Sequence, residues 1–90
     1  MRKIERTSQF KKDLKKLAKS GKYSIKELLN TIENLTMDIT LHENFHDHPL
    51  SGNWKDHRDC HIRSDWVLIY RLEPGKLILV RTGSHSELFG

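Results

Sequence analysis

The sequence predicts one α+β domain, with two helices packed on one face of a small antiparallel sheet in the order β-α-α-β-β-β and a short helix at the end. Three observations carry this. Two early segments repeat apolar residues at helical spacing, whereas the later half alternates or runs apolar over strand-length stretches. Gly and Pro fall between those stretches. Ninety residues are also too few to build a second core.

The first element, Arg2 to Arg6, reads as an edge strand with Ile4 inward. Ser8 is a suitable N-cap, after which Phe10, Leu14, Leu17 and Ala18 mark one helical face, and Gly21 ends the helix where a left-handed residue is wanted. Ser24 followed by Glu27 has capping-box spacing, and Ile25, Leu28, Leu29, Ile32 and Leu35 give the second stripe. Leu41 to Trp54 reads as loop, punctuated by Pro49, Gly52 and Asn53. From Asp56 to Arg63 the chain alternates: His57, Asp59, His61 and Arg63 share one face, and Arg58, Cys60 and Ile62 the other. Trp66 to Leu72 is an apolar strand. Glu73-Pro74-Gly75-Lys76 forms a turn, because Pro presets φ at its second position and Gly supplies positive φ at its third. Leu77 to Thr82 returns as the partner strand, Gly83 breaks it, and Ser84 caps a final helical turn to Phe89.

Composition narrows the function classes. The lone cysteine, Cys60, excludes an internal disulfide and fits a reducing compartment. The start MRKIERTSQF has no apolar core of a secretory signal, and no apolar run reaches the roughly 18 residues of a membrane span. A soluble, cytoplasmic protein is expected. The net charge of +4 hides an uneven distribution. Residues 1–26 carry ten Lys/Arg against Glu5 and Asp13, and the remainder carries six basic and ten acidic groups. The first helix therefore presents Lys11, Lys12, Lys15, Lys16 and Lys19, a field that attracts phosphate backbones through counterion release. A plain solvated helix face or a site for an acidic protein would look similar.

The second half holds groups that could move protons. His48, Asp59, His61, Asp65 and His85 are far apart in sequence, but a small sheet can gather them on one surface. Imidazole titrates near pH 6.5 and so gives or takes protons near neutrality. Metal binding fits less well. The spacings His42-x3-His46 and His46-x-His48 lack the cysteine pairs or H-E-x-x-H helix of zinc sites, and alternation turns Cys60 away from His61. No metal and no cofactor are expected. The same alternation places Cys60 inward, against a nucleophilic role.

The motifs His48-Pro49-Leu50-x-Gly52-x-Trp54, Arg58-Asp59-x-His61, Asp65-Trp66-x-Leu68-Ile69-Tyr70, Arg81-Thr82-Gly83-x-His85 and Leu88-Phe89, in this order, resemble the YafQ-type branch of the RelE toxin superfamily. The match spans roughly residues 46–90 motif by motif, and the element order agrees elsewhere. The resemblance implies a RelE-like fold, a toxin that cuts messenger RNA in the ribosomal A site at adenine-rich lysine codons, and a ribbon-helix-helix antitoxin as partner. The basic helix would contact ribosomal RNA, and the toxin alone would be monomeric. The resemblance also implies that His48, Asp59, His61, Asp65, Trp66, His85 and Phe89 hold the functional positions, and it leaves His42, His46 and His57 outside the pattern.

Cleavage by the RNA 2′-hydroxyl needs a base, an acid and positive charge at the phosphate. His48 or His61 is the expected base, oriented by Asp59 or Asp65, and His85 the expected acid. Arg81 is a candidate for stabilising the phosphate on chemical grounds alone. Trp66 and Phe89 are candidates to stack on bases or shape the pocket, and core packing is the competing reading for Trp66. The competing functions are a non-catalytic RNA- or antitoxin-binding protein on the same scaffold and a small zinc-binding regulator.

Overall fold

A computed structural model describes residues 1–90. The apolar stretches become a five-stranded sheet: β1 (Lys3–Arg6), β2 (His48–Pro49), β3 (Arg58–Arg63), β4 (Trp66–Glu73) and β5 (Lys76–Gly83), in spatial order β1-β5-β4-β3-β2. Helices α1 (Ser8–Ser20) and α2 (Ile25–Thr36) follow β1, and α3 (His85–Phe89) ends the chain. The sheet is mixed. β2 to β5 pair antiparallel as expected, but β1 lies parallel to β5, with Ile4 opposite Leu77.

Trp66, Leu68 and Tyr70 of β4, with Cys60, Leu77 and Leu79 beside them, pack against Phe10, Leu17, Leu28, Ile32 and Leu35. Fully burying such a side chain contributes about 1.5–3 kcal/mol. The intervening Val67 and Ile69 point to the other face, where Leu88 of α3 covers them with Leu50, Trp54 and Val80. Burial on both faces is why β4 reads as an unbroken apolar run rather than an alternation. The apolar stripes are narrower than the sequence suggests: Leu29 is 56% exposed and Ile4, expected inward, 45%.

The caps differ in detail. Thr7 rather than Ser8 caps α1: its Oγ1 accepts from the Phe10 N–H (3.0 Å) and donates to the Val80 carbonyl (2.8 Å), which ties the helix start to β5. Gly21 is left-handed as expected (φ 64°). Ser24 caps α2 without a side-chain bond: the Glu27 N–H goes to the Ser24 carbonyl at 3.1 Å, and the Glu27 carboxylate turns to Arg63. Ser84 and Glu87 do form a full capping box at α3. The segment expected as loop holds two 3-10 turns, Glu43–Phe45 and Gly52–Trp54, and the short β2, which sets His48 opposite Asp59. No helix is long and apolar enough to cross a membrane.

Candidate active site

Three strand or helix ends bring distant residues together. β2 carries His48, β3 carries Asp59 and His61, and the β3–β4 turn places Asp65 beside His85 at the start of α3. The His61 and His85 rings meet edge-on at 4.8 Å. His48 Nδ1 lies 3.1 Å from Asp59 Oδ1. Phe89 sits one turn beyond His85, its ring 6.2 Å away, and is 42% exposed. His48, His61 and His85 therefore share one surface, as the sequence led us to expect.

Hydrogen bonding assigns the tautomers of two of these rings. His48 Nδ1 is 2.6 Å from the His46 carbonyl, which can only accept, so Nδ1 carries the proton and Nε2 is presented. His85 Nδ1 is 2.9 Å from Asp65 Oδ1, and the His85 backbone N–H donates to the same oxygen at 3.1 Å. These two bonds to His85 hold the Asp65 carboxyl below its ordinary value, so it is ionised and accepts. His85 likewise presents Nε2.

The remaining electrostatics separate the groups. Partial burial lowers the His61 pKa; the Asp59 charge opposes that shift, and the imidazoles of His85, His46 and His48 add to it. His61 is thus neutral at neutral pH. Asp59 is buried, which pushes its carboxyl up against the pull of His48, His61 and His85. Its Oδ1 accepts no hydrogen bond, because the nearby His48 N–H is used by the His46 carbonyl.

Two expected site residues lie elsewhere. Trp66 is fully buried, stacks on Tyr23 (ring centroids 4.7 Å) and donates Nε1–H to Thr82 Oγ1 at 2.9 Å. It belongs to the core and cannot stack on RNA bases. Arg81 does not reach the imidazoles either. Asp13 of α1 takes its guanidinium at 3.0 and 3.1 Å and also accepts the Thr82 N–H at 3.2 Å, so Arg81 is committed to an internal pair. This corrects its expected place on the phosphate. Of the lysines on α1, Lys11, Lys12, Lys15 and Lys19 are exposed without ion pairs, whereas Lys16 meets Glu87 at 2.5 Å. That ammonium and the Ser84 hydrogen bonds hold the Glu87 carboxyl down at about 2, and they tie α1 to the helix that carries His85.

Sequence reasoning missed His46, whose ring stands edge-on to His61 at 5.4 Å, and Asp47, which accepts from the Tyr70 hydroxyl at 2.5 Å. Nothing in the spacing marked Asp47. His46 lay in view but outside the motif. His42 does play a local part, accepting the Asn44 N–H in the Glu43–Phe45 turn. No three His, Cys, Asp or Glu side chains are grouped so as to hold one metal ion. The Cys60 thiol is buried in the core, which raises its pKa, and is inert.

Comparison with known proteins finds relatives over nearly the whole chain. The chain is 42% identical to the mRNA interferase toxin YafQ of Escherichia coli K12 over 91 residues, covering 99% of this chain and 97% of that one. A metal-bound toxin from Helicobacter pylori superposes with a TM-score of 0.92 at 44% identity, over 99% of this chain and 100% of that one. The E. coli DinJ–YafQ complex gives 0.88 at 40% identity, with full coverage of both chains. The family model described as the bacterial toxin of type II toxin–antitoxin systems, YafQ, matches residues 2–90. With the family matched over nearly its whole length, the chain belongs to the YafQ family of type II toxins.

Proposed function

We propose that this toxin is an endoribonuclease that cuts messenger RNA in the ribosomal A site, at adenine-rich lysine codons, by metal-independent acid–base catalysis. One observation carries the reading: two imidazoles far apart in sequence, His61 of β3 and His85 just beyond β5, stand 4.8 Å apart at an open surface. The names of the E. coli relatives, mRNA interferase toxins, support the substrate class.

The 2′-hydroxyl attacks the adjacent phosphorus, and the 5′-oxygen leaves. His61, kept neutral by burial, takes the hydroxyl proton. His85, with Asp65 on Nδ1 to fix the ring and offset its charge when protonated, delivers a proton from Nε2 to the leaving oxygen. His48 presents a second Nε2 at the site, held by the His46 carbonyl, with Asp59 Oδ1 3.1 Å from its Nδ1. Phe89, exposed beside His85, is available for base stacking. The four unpaired lysines of α1 contact ribosomal RNA. The chain acts in the cytoplasm as a monomer until a ribbon-helix-helix antitoxin neutralises it; the E. coli relative crystallised with DinJ supports such a partner.

Primer extension on a translated message tests the reading. The chain yields discrete breaks in lysine codons only when ribosomes are translating, and a zinc-selective chelator, with the magnesium that holds ribosomes together kept in excess, leaves the breaks intact. Arrest without breaks would favour a binding protein on the same scaffold, and loss with that chelator restored by zinc would overturn the metal-independent chemistry.

A further inference from the structure

Beside the imidazoles lies a cleft of about 790 Å³ between the Glu43–Phe45 turn and the end of β3. His46, His48, His61 and Arg63 line it with Asn44 and Ser64, and no Asp or Glu does. Two other polar clefts differ: between α1 and α3, Asp13, Asp65 and Glu87 face the lysines and Arg81, and between residues 21–24 and the β3–β4 turn, Glu27 and Asp65 face Lys22 and Arg63. The first cleft offers Arg63 and imidazole N–H groups to an anion without carboxylates on its walls.

Its two outer side chains are held in place from behind. Arg63 takes both carboxylate oxygens of Glu27, Nη2 to Oε1 at 2.7 Å and Nε to Oε2 at 3.1 Å. That leaves the Nη1 edge free on a side chain 62% exposed. His46 is left-handed (φ 48°), a conformation that is uncommon outside glycine and often marks functional positions. Its carbonyl accepts from His48, and the next residue, Asp47, is latched by the Tyr70 hydroxyl from the core. The loop is therefore preformed, so a ligand would not bear the cost of ordering it.

We propose that His46 and Arg63 form a subsite for the phosphate that flanks the scissile one, so that a single RNA strand continues from the His61–His85 pair into this cleft. This rests on the ribonuclease reading and adds a substrate contact to it. Contacts to backbone phosphates position a strand without reading its sequence.

The test uses the intact chain and a tetranucleotide whose middle link is the scissile one and whose scissile ribose carries a 2′-O-methyl group, so that binding is measured without cleavage. Two further probes replace the phosphate on one side or the other of the scissile link by a neutral methylphosphonate. His46→Gln and Arg63→Gln each weaken binding of the charged tetranucleotide about fivefold, the size of one hydrogen bond. One methylphosphonate probe binds the wild type equally weakly and is no further weakened by either substitution. The His46 ring resonances shift on titration, and the melting temperatures of both variants match wild type. Unchanged affinity in both variants, or losses that multiply with both methylphosphonates, would overturn the subsite. Cleavage of translated messages by wild type is scored separately, so failure of the ribonuclease reading is distinguishable from failure of the subsite.

Discussion

On the helix side of the sheet, Trp66, Leu68 and Tyr70 are closed off by α1 and α2, and the polar atoms there are paired: Trp66 Nε1 with Thr82, Arg81 with Asp13. At the opposite edge, β2 and β3 leave His48 half exposed, Asp59 buried with an oxygen lacking a donor, and His46 in a left-handed conformation. The same β3 serves both regions, Cys60 facing the core and Asp59 and His61 the site. In these two regions the satisfied polar groups lie in the part that holds the fold, and the unpaired Asp59 oxygen and the left-handed His46 in the part that meets a ligand; the other unpartnered buried atom, Arg71 Nε, lies on β4 outside both.

Substitutions can break that contrast. The largest effect expected is at His85: His85→Ala lowers cleavage by about 10²–10⁴-fold in primer extension, while ribosome co-sedimentation is retained. Next, Trp66→Ala destabilises the fold by about 3–5 kcal/mol, read by denaturant unfolding. Phe89→Ala leaves stability unchanged and weakens binding of programmed ribosomes by about 1–3 kcal/mol. If the two aromatics exchanged these outcomes, the division between core and site would be wrong. Replacing Lys11, Lys12, Lys15 and Lys19 by Gln weakens ribosome binding and flattens its salt dependence, by up to about 0.7–0.9 in log–log slope per lysine removed; an unchanged slope would make α1 a solvated face.

The smallest effect is on pH dependence. Asp59 opposes the lowering of the His61 pKa, so Asp59→Asn lets it fall further. The acid limb of the rate profile then moves to lower pH, and movement to higher pH would remove Asp59 from His61's surroundings. Stability follows the same sign: because His61 titrates below its unfolded value, its contribution is present above about pH 6.5 and is lost as pH falls through the folded pKa.

Much of this was legible in the chain. Period-two alternation around Cys60 sorted His61 from the core, and the spaced motifs identified the family. What escaped depended on contacts between elements. Arg81 looked available because Asp13, 68 residues away, is an ordinary acidic residue in a lysine-rich helix. Trp66 was ambiguous because β4 is buried on both faces, so no alternation shows which of its residues the two long helices cover. β2 spans two residues, too few for a periodic signal, yet it sets His48 against Asp59. His46 was passed over because a left-handed turn, not a spacing, carries its ring to His61.

The most direct measurement compares normal messages with ones whose scissile 5′-oxygen is replaced by sulfur, a leaving group that needs no proton. If His61 is the base and His85 the acid, His85→Ala cleaves the sulfur-containing link at nearly the wild-type rate and His61→Ala does not. An inactive His85→Ala on the sulfur link, or a rescued His61→Ala, would contradict the assignment of the two imidazoles.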